Sequence, residues 1–281
     1  MTKSNTTKGS KNEYEDQFRD LEKPIGALEK SRFEFFKSRM NTLTESDMKP
    51  FMYGSHYSGT GPLFYYMVRI EPFAWLNYRL QGGRFDCPDR LFKSVEETWE
   101  SCCINTSDVK ELIPEFYFFS EFLRNRFDFS FNQTIYKNIY FFPFRSEYNF
   151  GITQSMIKVN DVFLPSWASN PEEFVFRSRQ VLESPYVSEK LSKWIDLIFG
   201  YRQKDEENLF FPLTYEGSID LEEVKESDDF EGLLMQINNF GQTPFQLFGS
   251  PHPGKRKIDG NFPHQKIVIV LIKGVKLLIF I

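Results

Sequence analysis

The chain has 281 residues and a formal net charge of −5, from 34 basic and 39 acidic side chains. Its 41% hydrophobic and 26% charged residues are typical of a folded soluble protein with one large or two small domains. The excess of acidic residues argues against a general nucleic-acid binder, which needs lysine and arginine side chains to neutralise the phosphates. Three cysteines cannot form a disulfide framework, and three histidines leave little for metal or acid–base sites, so no cofactor is predicted.

The N-terminal and C-terminal segments of the chain predict different structures. The first residues are polar and have no apolar run behind them, so we expect a disordered N-terminus over residues 1–13 and no secretory signal. Residues 267–281 are apolar at 12 of 15 positions, and Lys273 and Lys276 interrupt them. The run is short for a spanning helix and rich in β-branched residues, which favours a β-hairpin turning at Lys273-Gly274. A membrane anchor is the alternative.

Five helices are predicted from apolar spacing and from residues that start or stop helices. In chain order, the first three cover residues 27–41, residues 88–102 and residues 171–184, the third with Asn170 as its cap. The fourth is capped by Ser188 and ends at Gly200, and the fifth is capped by Ser227 and ends at Gly241. The fourth carries an apolar stripe of Leu191, Trp194, Ile195 and Ile198. Residues 203–231 hold eleven acidic residues against two lysines, which predicts a solvated face or, alternatively, a surface for a basic partner.

The most enzyme-like run is the turn at residues 53–61, where Ser55, His56 and Ser58 lie among glycines. It lacks the Gly-x-Ser-x-Gly elbow and the lysine of a phosphate loop, so we expect a structural turn, with a Ser/His hydrolase as the alternative. Cys102 and Cys103 are adjacent and predict buried thiols. Asp196, on an otherwise apolar helix, is predicted to be a buried hydrogen-bond acceptor or else an exposed binding residue.

Short phrases in a fixed order are more specific than any single motif. They are Lys23-Pro24-Ile25-Gly26-Ala27-Leu28, Tyr53-Gly54-Ser55-His56-Tyr57-Ser58, Gly83-Arg84-Phe85-Asp86, Leu164-Pro165 with Trp167-Ala168, Trp194-Ile195-Asp196-Leu197-Ile198-Phe199-Gly200-Tyr201, Pro212-Leu213-Thr214-Tyr215-Glu216-Gly217, Phe240-Gly241-Gln242-Thr243-Pro244 and Pro251-His252-Pro253. Together they resemble a BEACH domain, the module named after the Beige and Chediak-Higashi proteins.

The resemblance implies a mainly α fold: a single BEACH-type domain with helices around a core of extended, non-regular segments. It implies a non-enzymatic interaction scaffold, cytoplasmic or peripheral on endosomal and lysosomal membranes, acting in vesicle traffic, lysosome biology, autophagy or receptor signalling. In the family the domain follows a PH-like domain, with which it forms a groove for protein partners, and precedes WD40 repeats.

The chain departs from the family pattern in three places. We expect a BEACH-like domain over residues 14–256 without the family's aromatic opening segment, a Phe-rich insert near residues 128–149, and a non-family apolar tail over residues 257–281. The insert is interpreted either as a lineage-specific loop or as translated non-coding sequence. Without its opening segment and PH-like partner, the domain is expected to bind weakly on its own.

Two stretches alternate aromatic and charged residues beside glycines and are predicted to bind protein partners. The candidate residues are Tyr53, His56, Tyr57, Trp194, Asp196, Tyr201, Arg202 and Lys204. The alternative is that the same residues belong to the core and to helix caps, as such residue types often do.

Overall fold

The computed structural model describes residues 18–44, 49–54, 56, 59–106, 110, 112, 114–126, 148–255, 267–272 and 275–280. Over these ranges the chain is mainly helical, as predicted. The α-helices are α1 (Lys30–Thr44), α2 (Thr60–Tyr66), α3 (Phe73–Leu80), α4 (Val95–Ile104), α5 (Pro171–Leu182), α6 (Pro185–Ile198) and α7 (Phe230–Phe240). Short 3-10 turns, such as Ile25–Ala27 and Pro212–Thr214, punctuate the connections.

Four of the five predicted helix starts are wrong, and for the first, second and fourth helices the structure shows a local cause. The first helix begins at Lys30, since Ile25–Ala27 forms a separate 3-10 turn. The second begins only at Val95, where the Ser94 hydroxyl accepts a hydrogen bond from the Glu97 N–H. The fourth begins at Pro185 and is capped by Ser184 rather than Ser188, because proline at the first helical position sacrifices no hydrogen bond.

Of the other two helices, one begins at its predicted cap and the other ends at its predicted glycine. Asn170 caps α5, its side chain accepting a hydrogen bond 2.9 Å long from the Glu173 N–H. Gly241 ends α7 with a φ of 67°, in the left-handed region that glycine tolerates. At the start of α7, Asp229 holds the cap position and makes no capping hydrogen bond, so the predicted cap Ser227 lies outside the helix.

The core consists of two large apolar clusters built from different parts of the chain. The first joins α1 and α6 to extended segments; its buried members are Ile25, Phe36, Met40, Met52, Tyr53, Cys102, Leu197, Ile198, Phe210 and Tyr215. The second lies under α2 and α5; its buried members are Tyr66, Met67, Phe92, Phe116, Phe122, Leu123, Val162, Ala168, Phe174 and Val175. Much of the unusual aromatic content is therefore core, packed in edge-to-face pairs such as Tyr66 with Phe92.

Extended, non-regular segments run through this core, as the resemblance implied. They meet as isolated β-bridges, Tyr53 with Phe210, Ser94 with Phe163 and Tyr215 with Thr243. The Tyr53 pairing is supported by backbone hydrogen bonds of 3.1 Å from the Tyr53 N–H to Leu209 and 2.8 Å from the Phe211 N–H to Tyr53. Segments distant in sequence thus satisfy their backbone groups without forming a sheet.

The predicted C-terminal hairpin is confirmed in its strands. β1 (Ile267–Ile272) pairs antiparallel with β2 (Val275–Phe280), and Ile272 lies opposite Val275. The predicted turn at Lys273-Gly274 lies outside the described residues. Within the described ranges, none of the helices combines the length with the apolar character that a membrane-spanning helix requires.

The predicted disordered N-terminus and most of the Phe-rich insert also lie outside the described residues. The chain on both sides of the insert is described. Asn125 donates a hydrogen bond of 2.7 Å to the Tyr148 carbonyl and accepts one of 2.9 Å from the Tyr148 N–H. The two segments that flank the insert are therefore held side by side, and the proposed bounds of the insert stay a prediction.

Candidate protein-interaction site

Tyr53 and His56, from the first predicted stretch, are brought together around one ring of the core. The Phe210 ring centroid is 5.0 Å from that of Tyr53 and 4.6 Å from that of His56. Tyr53 is buried, and its hydroxyl donates to the Glu207 carbonyl over 2.9 Å. Burial raises the pKa of the Tyr53 hydroxyl. Tyr57 lies outside the described residues.

His56 is buried, and that burial lowers the pKa of its imidazole to about 3. Its Nδ1 lies 3.4 Å from the Thr243 hydroxyl. An imidazole with this pKa is neutral at physiological pH, so it can exchange hydrogen bonds but carries no charge. The neighbours of His56 are aromatic rings and a hydroxyl group, as is typical of a histidine in a protein core. Ser55 and Ser58, needed for the hydrolase alternative, lie outside the described residues.

A cavity of about 540 Å³ opens beside His56. Its walls come from the 53–61 turn, α2, α3 and α7, and include the amide side chains of Asn77, Gln81 and Gln236. Its wall also carries three charged side chains: Asp86 and Arg90, which form an ion pair with each other, and Lys110. The cavity is therefore bounded by mixed polar and apolar groups around a neutral histidine.

Asp196, in the second predicted stretch, is a buried acceptor. The side chain is fully buried, and Oδ1 accepts a hydrogen bond of 2.8 Å from the His252 N–H. Its backbone carbonyl accepts from the Arg202 N–H over 3.1 Å. Asp196 thereby ties the end of α6 to both the turn that follows and the 251–253 segment. Trp194, two residues earlier, is half-buried against the first cluster.

The turn after α6 is held by a second buried polar side chain, Gln203. Its Nε2 donates to the carbonyls of Ile198 and Pro244, at 2.9 and 3.1 Å, and its Oε1 accepts from the Gln246 N–H at 2.7 Å. The Phe248 N–H donates to the Phe199 carbonyl over 3.1 Å. Residues 199–205 and 244–252 therefore form one locally rigid unit.

That unit exposes aromatic and aliphatic side chains. Tyr201 is 40% exposed, Phe245 41%, Leu247 59% and Phe248 40%. The Lys204 ammonium lies 4.3 Å from the Phe245 ring centroid, within cation–π distance. We call these five residues the aromatic patch. Exposed aromatic residues on a rigid backbone are what protein interfaces use as anchors.

The predicted site residues thus divide into two groups. In the first group, Tyr53, His56 and Asp196 are buried and Trp194 is half-buried. These side chains contact other parts of the same chain. Arg202 is half-buried and donates from Nε to Asp205 over 2.7 Å. Tyr201 and Lys204 are exposed and belong to the aromatic patch.

Phe245, Leu247 and Phe248 were not predicted as site residues. They lie in a Pro- and Gly-rich connector with neither a helical nor a strand period, so periodicity gives no signal there. The signal available was composition: large apolar residues spaced closely in a connector that should otherwise be polar.

Comparison with known proteins agrees with the fold and the motifs. The Beige/BEACH domain family model matches residues 3–255, which is most of the chain. The chain therefore belongs to the BEACH domain family.

Several curated plant proteins are similar to it, all from Arabidopsis thaliana. BEACH domain-containing protein B is 45% identical over 242 residues, which is 84% of this chain and 9% of that protein. Protein SPIRRIG is 44% identical over 254 residues, 88% of this chain and 6% of that protein. BEACH domain-containing protein A2 is 43% identical over 256 residues, 88% of this chain and 7% of that protein. The chain spans less than a tenth of each of these relatives.

Proposed function

We propose that this chain is a non-enzymatic protein-interaction module of a membrane-traffic scaffold, and that the aromatic patch binds a protein partner. The observation that carries the proposal is the combination of exposed Tyr201, Phe245, Leu247 and Phe248 with a buried hydrogen-bonded frame beneath them. A preformed frame lowers the entropy lost on binding.

The family supports the wider role. The resemblance of the chain to this family implies that it is part of a large scaffold in vesicle traffic, lysosome biology, autophagy or receptor signalling. Such a scaffold lies in the cytoplasm or is peripheral on endosomal and lysosomal membranes. A PH-like domain before this module and WD40 repeats after it are part of the proposal. The relatives' much greater length is compatible with such added domains.

The test compares the chain with a patch variant, Phe245→Ala with Leu247→Asp, as bait in quantitative affinity capture from cells. The matched control is Phe176→Ala with Val181→Asp, because these two side chains of α5 are also exposed. Loss of a central aromatic anchor weakens binding by about 2 kcal/mol or more, roughly 30-fold. We expect proteins enriched by the wild type and the control to be depleted with the patch variant.

The proposal is overturned if all three baits recover the same proteins in the same amounts. Circular dichroism of each variant confirms that its helical content is that of the wild type. Purified partners from the enriched set then give the dissociation constants directly.

A further inference from the structure

The C-terminal hairpin is made almost entirely of apolar residues. All six residues of β1 are aliphatic, and five of the six residues of β2 are apolar, with Lys276 as the exception. Strands that are buried on both faces have such continuous apolar runs, whereas a strand with one solvated face alternates apolar and polar residues. Both strands therefore have the composition of the interior of a sheet.

The sheet formed by these strands is too small to have an interior. Among the described residues it consists of β1 and β2, and no third strand pairs with either of them. In an antiparallel pair, alternate residues of each strand direct their backbone N–H and C=O groups away from the partner strand. Both outer edges are therefore open to a further strand, and two strands alone are at best marginally stable in water.

The two open edges differ in charge. β2 contains Lys276, which is paired in the register with Leu271, whereas β1 contains no charged residue. A lysine in an edge strand is one of the means by which proteins prevent further strand pairing. The edge of β1 is therefore the one suited to accept another strand.

An open strand edge restricts the chemistry of what can cover it. Lipid offers no hydrogen-bond partners, so a bilayer would leave the outer backbone groups of the hairpin unsatisfied. Another strand satisfies these groups, and it must be as apolar as β1 to pack beside it. Soluble proteins avoid exposing an open apolar strand of this kind, but a second copy of this chain provides one in its own β1.

We propose that two copies of this chain associate by antiparallel pairing of β1 with β1 of the second copy, about a twofold axis. The product is a four-stranded sheet in the order β2-β1-β1-β2, in which each outer strand contains a lysine. Because the same edge of each copy meets itself, the contact closes at two copies. The inference adds a self-association surface to the chain and does not depend on the aromatic patch.

The test is sedimentation equilibrium of the full chain over a wide range of protein concentrations, with two matched variants. Ile269→Lys introduces a charge in the middle of β1, and Leu278→Lys introduces one at the position in β2 that is paired with Ile269. Because the two positions are paired within the hairpin, both substitutions weaken the hairpin itself, and the difference between them reports the β1 edge.

The two variants should differ in their dimer dissociation constants. Around the proposed axis the introduced lysines of Ile269→Lys lie close to each other, so this variant should raise the dissociation constant at least about tenfold. Leu278→Lys changes the outer strand, which already contains Lys276, and should dimerise as the wild type does.

Hydrogen exchange of the wild type gives a second readout. In the proposed dimer β1 is an inner strand with hydrogen bonds on both sides, whereas β2 is hydrogen-bonded on one side only. The amides of β1 should therefore exchange more slowly than those of β2, and dilution to the monomer should remove this difference.

The inference is overturned if the wild type stays monomeric, if it forms species larger than dimers, or if β1 and β2 exchange at the same rate in the dimer. It is also overturned if the two lysine variants change the dissociation constant equally, because that result would indicate stacking of sheet faces instead of pairing at the β1 edge. None of these outcomes affects the capture test of the aromatic patch, so the two proposals fail separately.

Discussion

At the scale of a single residue, the buried His56 is expected to make the stability of the protein depend on pH. An unfolded histidine binds a proton near pH 6.5, whereas burial lowers the pKa of His56 to about 3. Below pH 6.5 the unfolded chain therefore carries a proton that the folded chain excludes. The free energy of unfolding should fall as the pH falls, by about 1.4 kcal/mol per unit well below pH 6.5.

Urea denaturation at pH 7 and pH 5 measures this dependence. His56→Gln should flatten the difference between the two pH values, because glutamine does not titrate. If the variant is too unstable to study, histidine NMR signals of the wild type serve instead: the His56 ring should not titrate between pH 7.5 and 5. Titration near 6.5 would contradict the prediction.

Gly200 is constrained by backbone and not by a movable side chain. A Cβ at this position would lie 2.5 Å from the Asp196 Cα and 2.8 Å from the Asp196 carbonyl oxygen. Gly200→Ala must therefore displace the end of α6, and we expect a loss of about 2–4 kcal/mol in the free energy of unfolding.

Gly232, inside α7, provides the opposite control. A Cβ there meets nothing within 4 Å. Gly232→Ala should stabilise the protein by about 0.5–1 kcal/mol, because alanine loses less entropy in a helix. Chemical denaturation of both variants measures the two effects, and equal changes would contradict the prediction.

At the scale of an element, the helix ends differ in how their backbone groups are satisfied. Asn170 makes a capping hydrogen bond at α5, whereas Asp229 makes none at α7. Asn170→Ala should destabilise the protein by about 1 kcal/mol. Asp229→Ala, by contrast, should change stability by less than about 0.5 kcal/mol, the residual interaction with the helix dipole. Thermal and urea unfolding of the pair checks the contrast, which a similar loss in both would refute.

At the scale of the whole molecule, a buried arginine connects separate parts of the core. The Arg69 guanidinium donates to the Asn160 carbonyl over 2.6 and 2.9 Å and to the Phe92 carbonyl over 2.6 Å. It also lies 5.1 Å from the centroid of the Phe150 ring. Burial lowers the pKa of Arg69 to about 10, so the side chain remains charged at neutral pH. The second and third clusters are therefore joined through a cation.

Arg69→Met keeps much of the side-chain volume but removes these donors. The buried carbonyls would then lack partners, and we expect a loss of about 3–5 kcal/mol in the free energy of unfolding. The control is Arg79→Met, since Arg79 is exposed on α3 and lies 5.7 Å from the Trp75 ring centroid. Its effect should stay below about 1 kcal/mol. Comparable losses for the two variants would show that the donors of Arg69 are not what stabilises this junction.

Some of the short phrases by which the family is recognised contact one another in the folded chain. Gly26, in the first phrase, lies so close to Tyr53, in the second, that a Cβ would approach the tyrosine ring to 2.1 Å. Asp196, in a later phrase, accepts from His252 in the last one. Phrases far apart in sequence thus meet in one place, where each limits the residues the other can have.

The sequence by itself determined the family, the mainly helical class, the N-terminal cap of α5, the glycine that ends α7, and the pairing of the last two strands. These depend on local spacing, on residues that start or stop helices, and on the order of short phrases. Local hydrogen bonding and periodicity are contained in neighbouring residues, so they can be read without the fold.

Only the tertiary structure decided which residues of the candidate site reach solvent. Tyr53, His56 and Tyr201 are similar candidates in sequence, yet the first two are buried around Phe210 and the third is exposed. Phe245, Leu247 and Phe248 became part of the patch because Gln203 and Asp196 bind the segment that carries them. Burial depends on contacts between segments about 40 to 190 residues apart, and no local pattern records such contacts.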